Sequence, residues 1–328
     1  MIEGHGDDLY RYDNIKMNFS SNIYNGTDLS ALEAYLSSRM AVVRSYPEPS
    51  ATSLEQMIAR ESGIRPDEVL VTSGAVDAIY LIAQTYRHEG TCRILQPTFR
   101  EYEDACRVFG YQEREDGTLC WLCNPNNPTG SVMVTEEVLA LAERHRLLIV
   151  DQSYEDYTME PLLAPADVVS RDDIILLHSM TKRYAVPGLR LGYITASAKV
   201  ISCLREQYRP WAINALSLEA GKWLVQRGET AIPDLSSYLA ETQRLRAMLN
   251  EIDGIEAQQT QTNFFLCTIR QATAGELKEY LAREHGILIR DASNFTGLTP
   301  HHFRIATQSP AENDALVTAI RLFLNKQQ

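Results

Sequence analysis

The stretch HSMTKRYAVPGLRLGY, residues 178 to 193, combines residue types that could bind an anion and attack a carbonyl compound. The hydroxyls of Ser179 and Thr181 and the guanidinium of Arg190 suit a phosphate group, because arginine donates to two oxygens at once. Lys182 lies between them. Burial and neighbouring arginines favour its neutral amine, the nucleophile that forms a Schiff base. An ordinary surface lysine would need none of these neighbours.

Two further loops follow apolar, strand-like runs and could also hold a ligand. The turn at Gly74 leads into a helix at Ala75 and Val76, whose first backbone N–H groups are available to an anion. The loop CNPNNPTG, residues 123 to 130, has two prolines that fix the side-chain amides of two adjacent asparagines. Each loop also has an ordinary structural explanation. The first could be a common glycine turn, and the second a well-capped loop.

A fourth loop begins where the apolar run LLIVD ends at Asp151. This aspartate is either a helix cap or a carboxylate held in a low-dielectric cleft opposite a cation. Tyr154 follows three residues later and brings a phenol to the same loop.

Alternating strands and helices must position these four loops. The apolar runs EVLVTS, CRILQP, LCWLC, LLIVDQ, IILLHS and RLGYITA are separated by helical stretches that begin at Ala75, at Phe99 and near Thr135. Short apolar strands separated by helices indicate a parallel sheet covered on both faces. Ligands bind beyond the carboxyl ends of such strands, where the loops lie. The sequence therefore predicts an α/β fold.

The last third of the chain has a different pattern and predicts a second, smaller unit. A long helix is followed by the strands FFLCTI, ILIR and HFRIAT and by a last helix that begins with the capping box SPAE, residues 309 to 312. A similar box is predicted at TSLE, residues 52 to 55. We assign an N-terminal arm or small-domain segment, a ligand-binding large domain and a C-terminal small domain to residues 1–45, 46–225 and 226–328.

Composition limits the possible partners. The 43 acidic and 31 basic residues give a formal net charge of -12 at pH 7, so neither nucleic acid nor an anionic membrane is an expected partner. No signal peptide or membrane span is evident, and we expect a cytoplasmic protein with reduced cysteines. Cys120 and Cys123 form a C-x-x-C, but their side chains would lie on opposite faces of a strand, and no second pair exists. We expect no metal site.

Together, Asn-Pro-x-Asn-Pro-Thr-Gly, Asp-x-x-Tyr and Ser-x-Thr-Lys followed by Gly-Leu-Arg-x-Gly resemble the motifs of the class I/II aminotransferase-like, fold type I family of pyridoxal 5′-phosphate (PLP) enzymes. They occur in the family's order and approximate spacing, and the resemblance extends over essentially the whole chain. It implies a mostly parallel central sheet with helices on both faces, a smaller α+β C-terminal domain, and PLP as the cofactor.

The resemblance also implies roles for individual residues. Lys182 matches the lysine that binds the cofactor covalently, and Asp151 matches the carboxylate that keeps the pyridine nitrogen protonated. Asn127 and Tyr154 match the pair that hydrogen-bonds the phenolic oxygen of the ring, and Tyr154 is counted with Lys182 and Asp151 as catalytic. Phe99 matches the aromatic that stacks on the ring, although a core aromatic explains it equally well. The residues implied for the phosphate are Gly74, Ala75, Val76, Ser179, Thr181 and Arg190.

A phosphorylated amino acid and a homodimer with shared active sites are further implications. Tyr46 matches a tyrosine that reaches the cofactor phosphate of the partner subunit. Arg304 matches the arginine that binds the substrate carboxylate, and a surface salt bridge is the alternative role for it. Arg290 matches an arginine that binds the substrate phosphate. Asn22 and His5 would line the substrate end, although fraying is the simpler expectation for His5.

Two groups within the family resemble this sequence. They are the L-threonine-O-3-phosphate decarboxylases, which supply the aminopropanol phosphate of cobalamin side-chain synthesis, and the histidinol-phosphate aminotransferases. The segments GHGDDLYRY, KMNFSSNIYNG and RPWAINALSLEAG favour decarboxylation. Tyr24 and Asn25 stand where the decarboxylases have Asn-Pro, so transamination stays open as the alternative.

Other functional classes match the sequence less well. The tetrapeptide SMTK fits the S-x-x-K of β-lactamases, but their S-D-N and K-T-G are absent from the sequence. The G-x-G-x-x-G of nicotinamide dehydrogenases is also absent. A non-catalytic binding protein on this fold would have little reason to keep Lys182, Asp151, Asn127, Tyr154 and Arg304 together.

Overall fold

The structure is a computed structural model of the chain and describes residues 8–228, 230–232 and 234–327. His5 lies outside the described residues. The strands in chain order are β1 (Met17–Asn18), β2 (Val69–Thr72), β3 (Thr91–Ile94), β4 (Gln112–Glu113), β5 (Leu119–Cys123), β6 (Leu147–Asp151), β7 (Ile174–His178), β8 (Gly192–Thr195), β9 (Ile255–Ala257), β10 (Phe264–Ile269), β11 (Ile287–Leu288), β12 (Arg290–Asp291) and β13 (His302–Ala306).

Helices precede, separate and follow these strands. They are α1 (Ser30–Arg39), α2 (Thr52–Ser62), α3 (Ala75–Thr85), α4 (Glu101–Val108), α5 (Thr135–Ala142), α6 (Pro165–Val168), α7 (Met180–Arg183), α8 (Ala198–Gln207), α9 (Ala215–Arg227), α10 (Leu235–Asn250), α11 (Ala274–Tyr280) and α12 (Pro310–Gln327). Within the described ranges, none of them has the length and apolar character needed to cross a bilayer.

The central sheet has seven strands in the order β2-β8-β7-β6-β5-β3-β4. Every neighbouring pair is parallel except those of β8, which runs antiparallel to both β2 and β7. All residues of β5, β6 and β7 are buried, because helices cover both faces. The predicted fold class is therefore confirmed. The direction of β8 was not predictable, because an apolar run carries no information about strand direction.

The two faces of the central sheet have separate cores. Cys123 packs with Trp121 against α3 and α4, whereas Cys120 packs with Leu122 and Val138 on the other face. The two thiols of the C-x-x-C therefore point in opposite directions, and both cysteines are free.

The smaller sheet is antiparallel, with the order β12-β13-β10-β9. The predicted single strand ILIR divides into two. Ile287 and Leu288 pair in parallel with Met17 and Asn18 of β1, whereas Arg290 and Asp291 pair with β13. The N-terminal segment is therefore hydrogen-bonded to the C-terminal part of the chain. The domain boundaries at 45 and 225 stay predictions.

One of the two predicted capping boxes is confirmed. At the start of α12, the backbone N–H of Ser309 donates to the Glu312 carboxylate (3.1 Å) and that of Glu312 to the Ser309 hydroxyl (3.4 Å). The box at residues 52 to 55 is wrong. Ala51 is the N-cap of α2, and the Glu55 carboxylate turns inward to accept from the Val71 N–H, because a buried strand donor needs a partner.

Candidate active site

The carboxyl ends of β5, β6 and β7 open into a cavity of about 380 Å³. Cys123 at the end of β5 is in register with Asp151 at the end of β6, so the loops that follow them emerge side by side. Asp151 in turn pairs with Leu177, next to the end of β7. The predicted site residues that line this cavity are Ala75, Val76, Phe99, Asn127, Asp151, Tyr154, Ser179, Thr181, Lys182, Arg190 and Arg304.

Lys182 lies on α7, a single helical turn directly after β7. Its ε-amine donates to the backbone carbonyl of Ser21 (2.8 Å) and lies 5.7 Å from the centre of the Tyr154 ring. Ser179, the N-cap of α7, and Thr181 are hydrogen-bonded through their hydroxyls at 2.8 Å. The short helix therefore presents an amine and two hydroxyls to the same cavity.

Asp151 is 3% exposed and its carboxylate is held from two sides. Its Oδ2 accepts from the Tyr102 hydroxyl (2.7 Å), and its Oδ1 accepts from the Ser153 N–H (2.9 Å). Burial raises the pKa of Asp151, and both hydrogen bonds oppose that rise. A buried carboxylate in this position suits a cationic ring nitrogen, and a helix cap is not its role.

Tyr102 was not predicted as a site residue. It lies on α4 and is fully buried, and its ring stacks on Trp121 with centroids 5.4 Å apart. Phe99 packs edge-on against Tyr102 at 5.8 Å and also lines the cavity. The spacing of three residues between the two rings would place them on one face, and this was the available signal.

A close approach at the start of α3 forms the anion cradle. Gly74, the N-cap of α3, has a φ of 83°, and a Cβ there would lie 2.6 Å from the Arg190 guanidinium. Arg190 itself has a left-handed φ of 51°. Only glycine accommodates both the conformation and the contact. Gly74 therefore lies behind Arg190, which faces the cavity together with Ala75 and Val76.

Arg304 lies on β13 and is 4% exposed, which excludes a surface salt bridge. It donates to the side-chain carbonyl of Asn127 and to the backbone carbonyl of Ser20. Burial lowers the pKa of Arg304 to about 10. Burial also raises the pKa of Tyr154 to about 12, so both groups keep their protons at neutral pH.

Besides Gly74, three further predicted residues do not line the cavity. Asn22 is buried and donates to the Tyr154 hydroxyl (3.3 Å). Arg290 faces Arg304 across the β12–β13 pair and donates to the side chain of Asn294 (2.7 Å). Tyr46 is 87% exposed, and its ring lies 5.6 Å from that of Trp211.

The backbone carbonyls of Ser20 and Ser21 were also missed. They accept from Arg304 and Lys182 and belong to the segment that follows β1. A backbone carbonyl leaves no mark on residue type, so no sequence signal could have identified them.

A family model for class I and II aminotransferases matches residues 14–115 and 111–320. The chain belongs to this aminotransferase family. A solved structure of L-threonine-O-3-phosphate decarboxylase from Porphyromonas gingivalis is 37% identical to this family member, with a TM-score of 0.90, and the match covers 94% of this chain and 99% of the other.

Curated relatives of this aminotransferase family member come from both groups that its sequence resembles. A histidinol-phosphate aminotransferase from Caldanaerobacter subterraneus is 30% identical, with 86% of this chain and 85% of the relative covered. A threonine-phosphate decarboxylase from Salmonella typhimurium is 27% identical, with 93% and 90% covered. The family resemblance inferred from the motifs is therefore confirmed.

The aminotransferase family is PLP-dependent, and the cavity fits this cofactor. A buried carboxylate matches a protonated pyridine nitrogen, and the lysine amine matches an aldehyde. The Gly74 turn, which a Cβ would fill, leaves Arg190 free to approach a phosphate at the start of α3. The protein is a PLP-dependent enzyme.

Replacing Gly74 by alanine tests the cradle. We expect Gly74→Ala to weaken PLP binding to the apoprotein roughly tenfold, because the new methyl group displaces Arg190 and strains a left-handed backbone by about 1–3 kcal/mol. Gly188→Ala is the matched control, since nothing lies within 4 Å of a Cβ there. Equal PLP affinities of the two variants, measured by spectroscopic titration, would contradict this account of the cradle.

The raised pKa of Asp151 predicts a pH-dependent stability of the apoprotein. The folded state keeps the Asp151 carboxyl protonated at pH values above its ordinary pKa of 3.8. Ionisation of this buried group therefore destabilises the fold as the pH rises past that value. We therefore expect Asp151→Asn to raise the Tm of the apoprotein at pH 7, with a gain that shrinks towards pH 4.

Asp172→Asn is the control for Asp151→Asn, because a hydrogen bond from Lys199 lowers the pKa of Asp172. Its effect on Tm at pH 7 should be zero or negative. A lower Tm for apo Asp151→Asn at pH 7 would show that the carboxylate stabilises the fold.

Proposed function

We propose that the protein is a PLP-dependent decarboxylase of a phosphorylated amino acid, with L-threonine-O-3-phosphate as its substrate. The observation that carries this proposal is the pair of buried arginines, Arg290 and Arg304, directly opposite each other on β12 and β13. Arg304 lines the pocket and Arg290 lies opposite it on the neighbouring strand, so two cations close together suit a substrate with both a carboxylate and a phosphate. The 37% identity to the Porphyromonas gingivalis decarboxylase, over nearly the whole of both chains, supports the same conclusion.

Bound PLP supplies an electron-withdrawing ring that weakens the bonds at the α-carbon of an attached amino acid. In the proposed site, Lys182 holds the cofactor through its ε-amine and carries a proton at Nζ. Asp151 would face the ring nitrogen and hold a proton there. Burial raises the pKa of its carboxyl, and the hydrogen bonds from Ser153 and Tyr102 oppose that rise. Tyr154 and Asn127 would donate hydrogen bonds to the phenolic oxygen of the cofactor. The cofactor phosphate is assigned to Ala75, Val76, Ser179, Thr181 and Arg190.

Substrate orientation decides the reaction in this proposal. Arg304 binds the carboxylate and Arg290 the phosphate, so the amino acid is fixed at two ends. The two arginines would thereby select which bond at the α-carbon the cofactor weakens. Asn22 supports the substrate end through its hydrogen bond to Tyr154.

A histidinol-phosphate aminotransferase is the second candidate. It is favoured by the relative from Caldanaerobacter subterraneus, which is 30% identical over 86% of this chain. Its substrate also carries a phosphate, so Arg290 would have the same role. The two candidates differ in whether an amino group or carbon dioxide leaves the substrate.

One assay separates the candidates. We expect the holoenzyme to convert threonine phosphate to carbon dioxide and an amino alcohol phosphate without any 2-oxo acid, and Lys182→Ala to form neither product. Conversion of the bound cofactor to pyridoxamine phosphate by histidinol phosphate, reversed by 2-oxoglutarate, would establish the aminotransferase instead. Manometry and absorption spectra report the two outcomes.

The proposal includes a homodimer with shared active sites. Tyr46 is exposed beside Trp211, and the nearby Met40 and Val43 are also exposed, so this surface has the apolar character of a subunit interface. Tyr46 would reach the cofactor phosphate of the partner subunit. A cytoplasmic location and a role in cobalamin side-chain synthesis complete the proposal.

Subunit complementation tests the position of Tyr46. We expect Tyr46→Ala to weaken PLP binding and Lys182→Ala to abolish activity, because each removes one part of every site. In a mixed dimer, one site keeps Lys182 and receives Tyr46 from the partner, so co-refolding the two variants should restore part of the activity. No recovery in mixed dimers isolated with two affinity tags would show that Tyr46 acts within its own subunit, or not at all.

A further inference from the structure

A hydrogen-bonded contact between His178 and Glu155 joins the two loops that carry Tyr154 and Lys182. Nδ1 of His178 lies 2.9 and 3.1 Å from the two carboxylate oxygens of Glu155. His178 is the last residue of β7, and Glu155 follows Tyr154 directly in the chain. The two strands before these loops are hydrogen-bonded, but the loops extend beyond the last ladder bond. The contact between His178 and Glu155 therefore connects the two loops beyond the last ladder bond of the sheet.

The His178 ring is fixed on its other sides as well. It is 1% exposed, and it stacks on the Tyr193 ring with centroids 4.4 Å apart and planes 13° apart. Its Nε2 lies 3.0 Å from the hydroxyl of Thr195 on β8. A ring held by a stacking partner and two hydrogen bonds has one orientation, so it offers Glu155 a fixed point of attachment.

A second hydrogen bond ties the same turn to the lysine. Glu155–Tyr157 forms one 3₁₀ turn, and the Tyr157 hydroxyl donates to the backbone carbonyl of Lys182 (2.9 Å). The turn is thus bonded at its first residue to His178 and at its last residue to Lys182. Neither contact faces the cavity, since none of His178, Glu155 and Tyr157 lines it.

We propose that His178 and Glu155 are positioning residues, which hold the Tyr154 loop against the Lys182 loop and so set the distance between the phenol and the ε-amine. Besides this bond, the two loops are joined by the Tyr157 hydroxyl at the Lys182 carbonyl and by the longer contact of Asp156 with Arg183 (3.9 Å). A shift of about 1 Å between groups that act on one cofactor is enough to lower a rate markedly. The pair acts through Tyr154 and Lys182 and does not touch the cofactor itself.

The surroundings of the pair are strongly charged. Asp156 lies next to Glu155, and burial raises the pKa of Asp156 to about 6, with Glu155 adding to the rise and Arg183 opposing it. Burial raises the pKa of Asp151, and the His178 ring is among the groups that oppose this rise. Moving the His178 ring would therefore also change the pKa of Asp151.

The inference rests on the PLP dependence of the family and not on the proposed substrate. Its readout is the affinity of the apoprotein for PLP, which does not depend on which reaction the enzyme performs. Glu155→Ala removes the bond, whereas Glu155→Gln keeps an oxygen that accepts from Nδ1–H. Glu55→Ala is the matched control, because Glu55 is a buried carboxylate that accepts from Arg205 at 2.9 Å and does not line the cavity.

We expect Glu155→Ala to raise the dissociation constant for PLP roughly tenfold, as for partners that orient a ligating group, and Glu155→Gln to restore most of the affinity. Glu55→Ala should lower the Tm while leaving PLP affinity unchanged. The proposal is wrong if Glu155→Ala lowers the Tm but leaves the affinity for PLP unchanged, as expected for Glu55→Ala. It is also wrong if Glu155→Gln binds PLP as weakly as Glu155→Ala.

A variant of Thr195 serves where Glu155→Ala does not fold. Thr195→Val removes the hydroxyl at Nε2 and keeps the shape of the side chain. It should weaken PLP binding by a smaller factor and shift the visible absorption band of the bound cofactor. An unchanged affinity together with an unchanged band would overturn the proposal.

Discussion

The buried carboxylate of Asp151 is the constraint on which the pocket depends. A carboxylate removed from water destabilises a fold unless donors surround it. Here the donors are the Tyr102 hydroxyl and the Ser153 N–H, and Tyr102 is held in turn by its stack on Trp121. The packing of α4 against the sheet thus also places a donor at Asp151, and a cationic ring nitrogen would be a further partner for this carboxylate.

Two cations at the cavity, Lys182 and Arg304, are hydrogen-bonded to backbone carbonyls. Lys182 and Arg304 donate to the carbonyls of Ser21 and Ser20, which carry only partial charge. An anionic ligand is a stronger partner and can replace these carbonyls. Although the whole chain has a net charge of -12, the pocket concentrates positive charge, so the local arrangement and not the total decides what binds.

Sequence reasoning predicted the sheet and most of the cavity because both depend on local patterns. Apolar runs locate β5, β6 and β7, and the residues just after them line the cavity. It did not predict what depends on distant contacts. The division of ILIR between two sheets follows from pairing with β1. The inward turn of Glu55 follows from the need of the buried Val71 N–H for an acceptor. Arg290 and Tyr46 were named from resemblance alone, and the structure places both outside the cavity.

The parallel pairing of Met17 with Ile287 has a consequence for folding of the chain. The segment that bears Ser20 and Ser21 is held by residues that lie far away in the sequence. Closing so long a loop is entropically costly and slow, so the central sheet can collapse well before this segment docks. Until this segment docks, the amine of Lys182 and the guanidinium of Arg304 lack the backbone acceptors at Ser21 and Ser20, so the pocket is completed only by this late step.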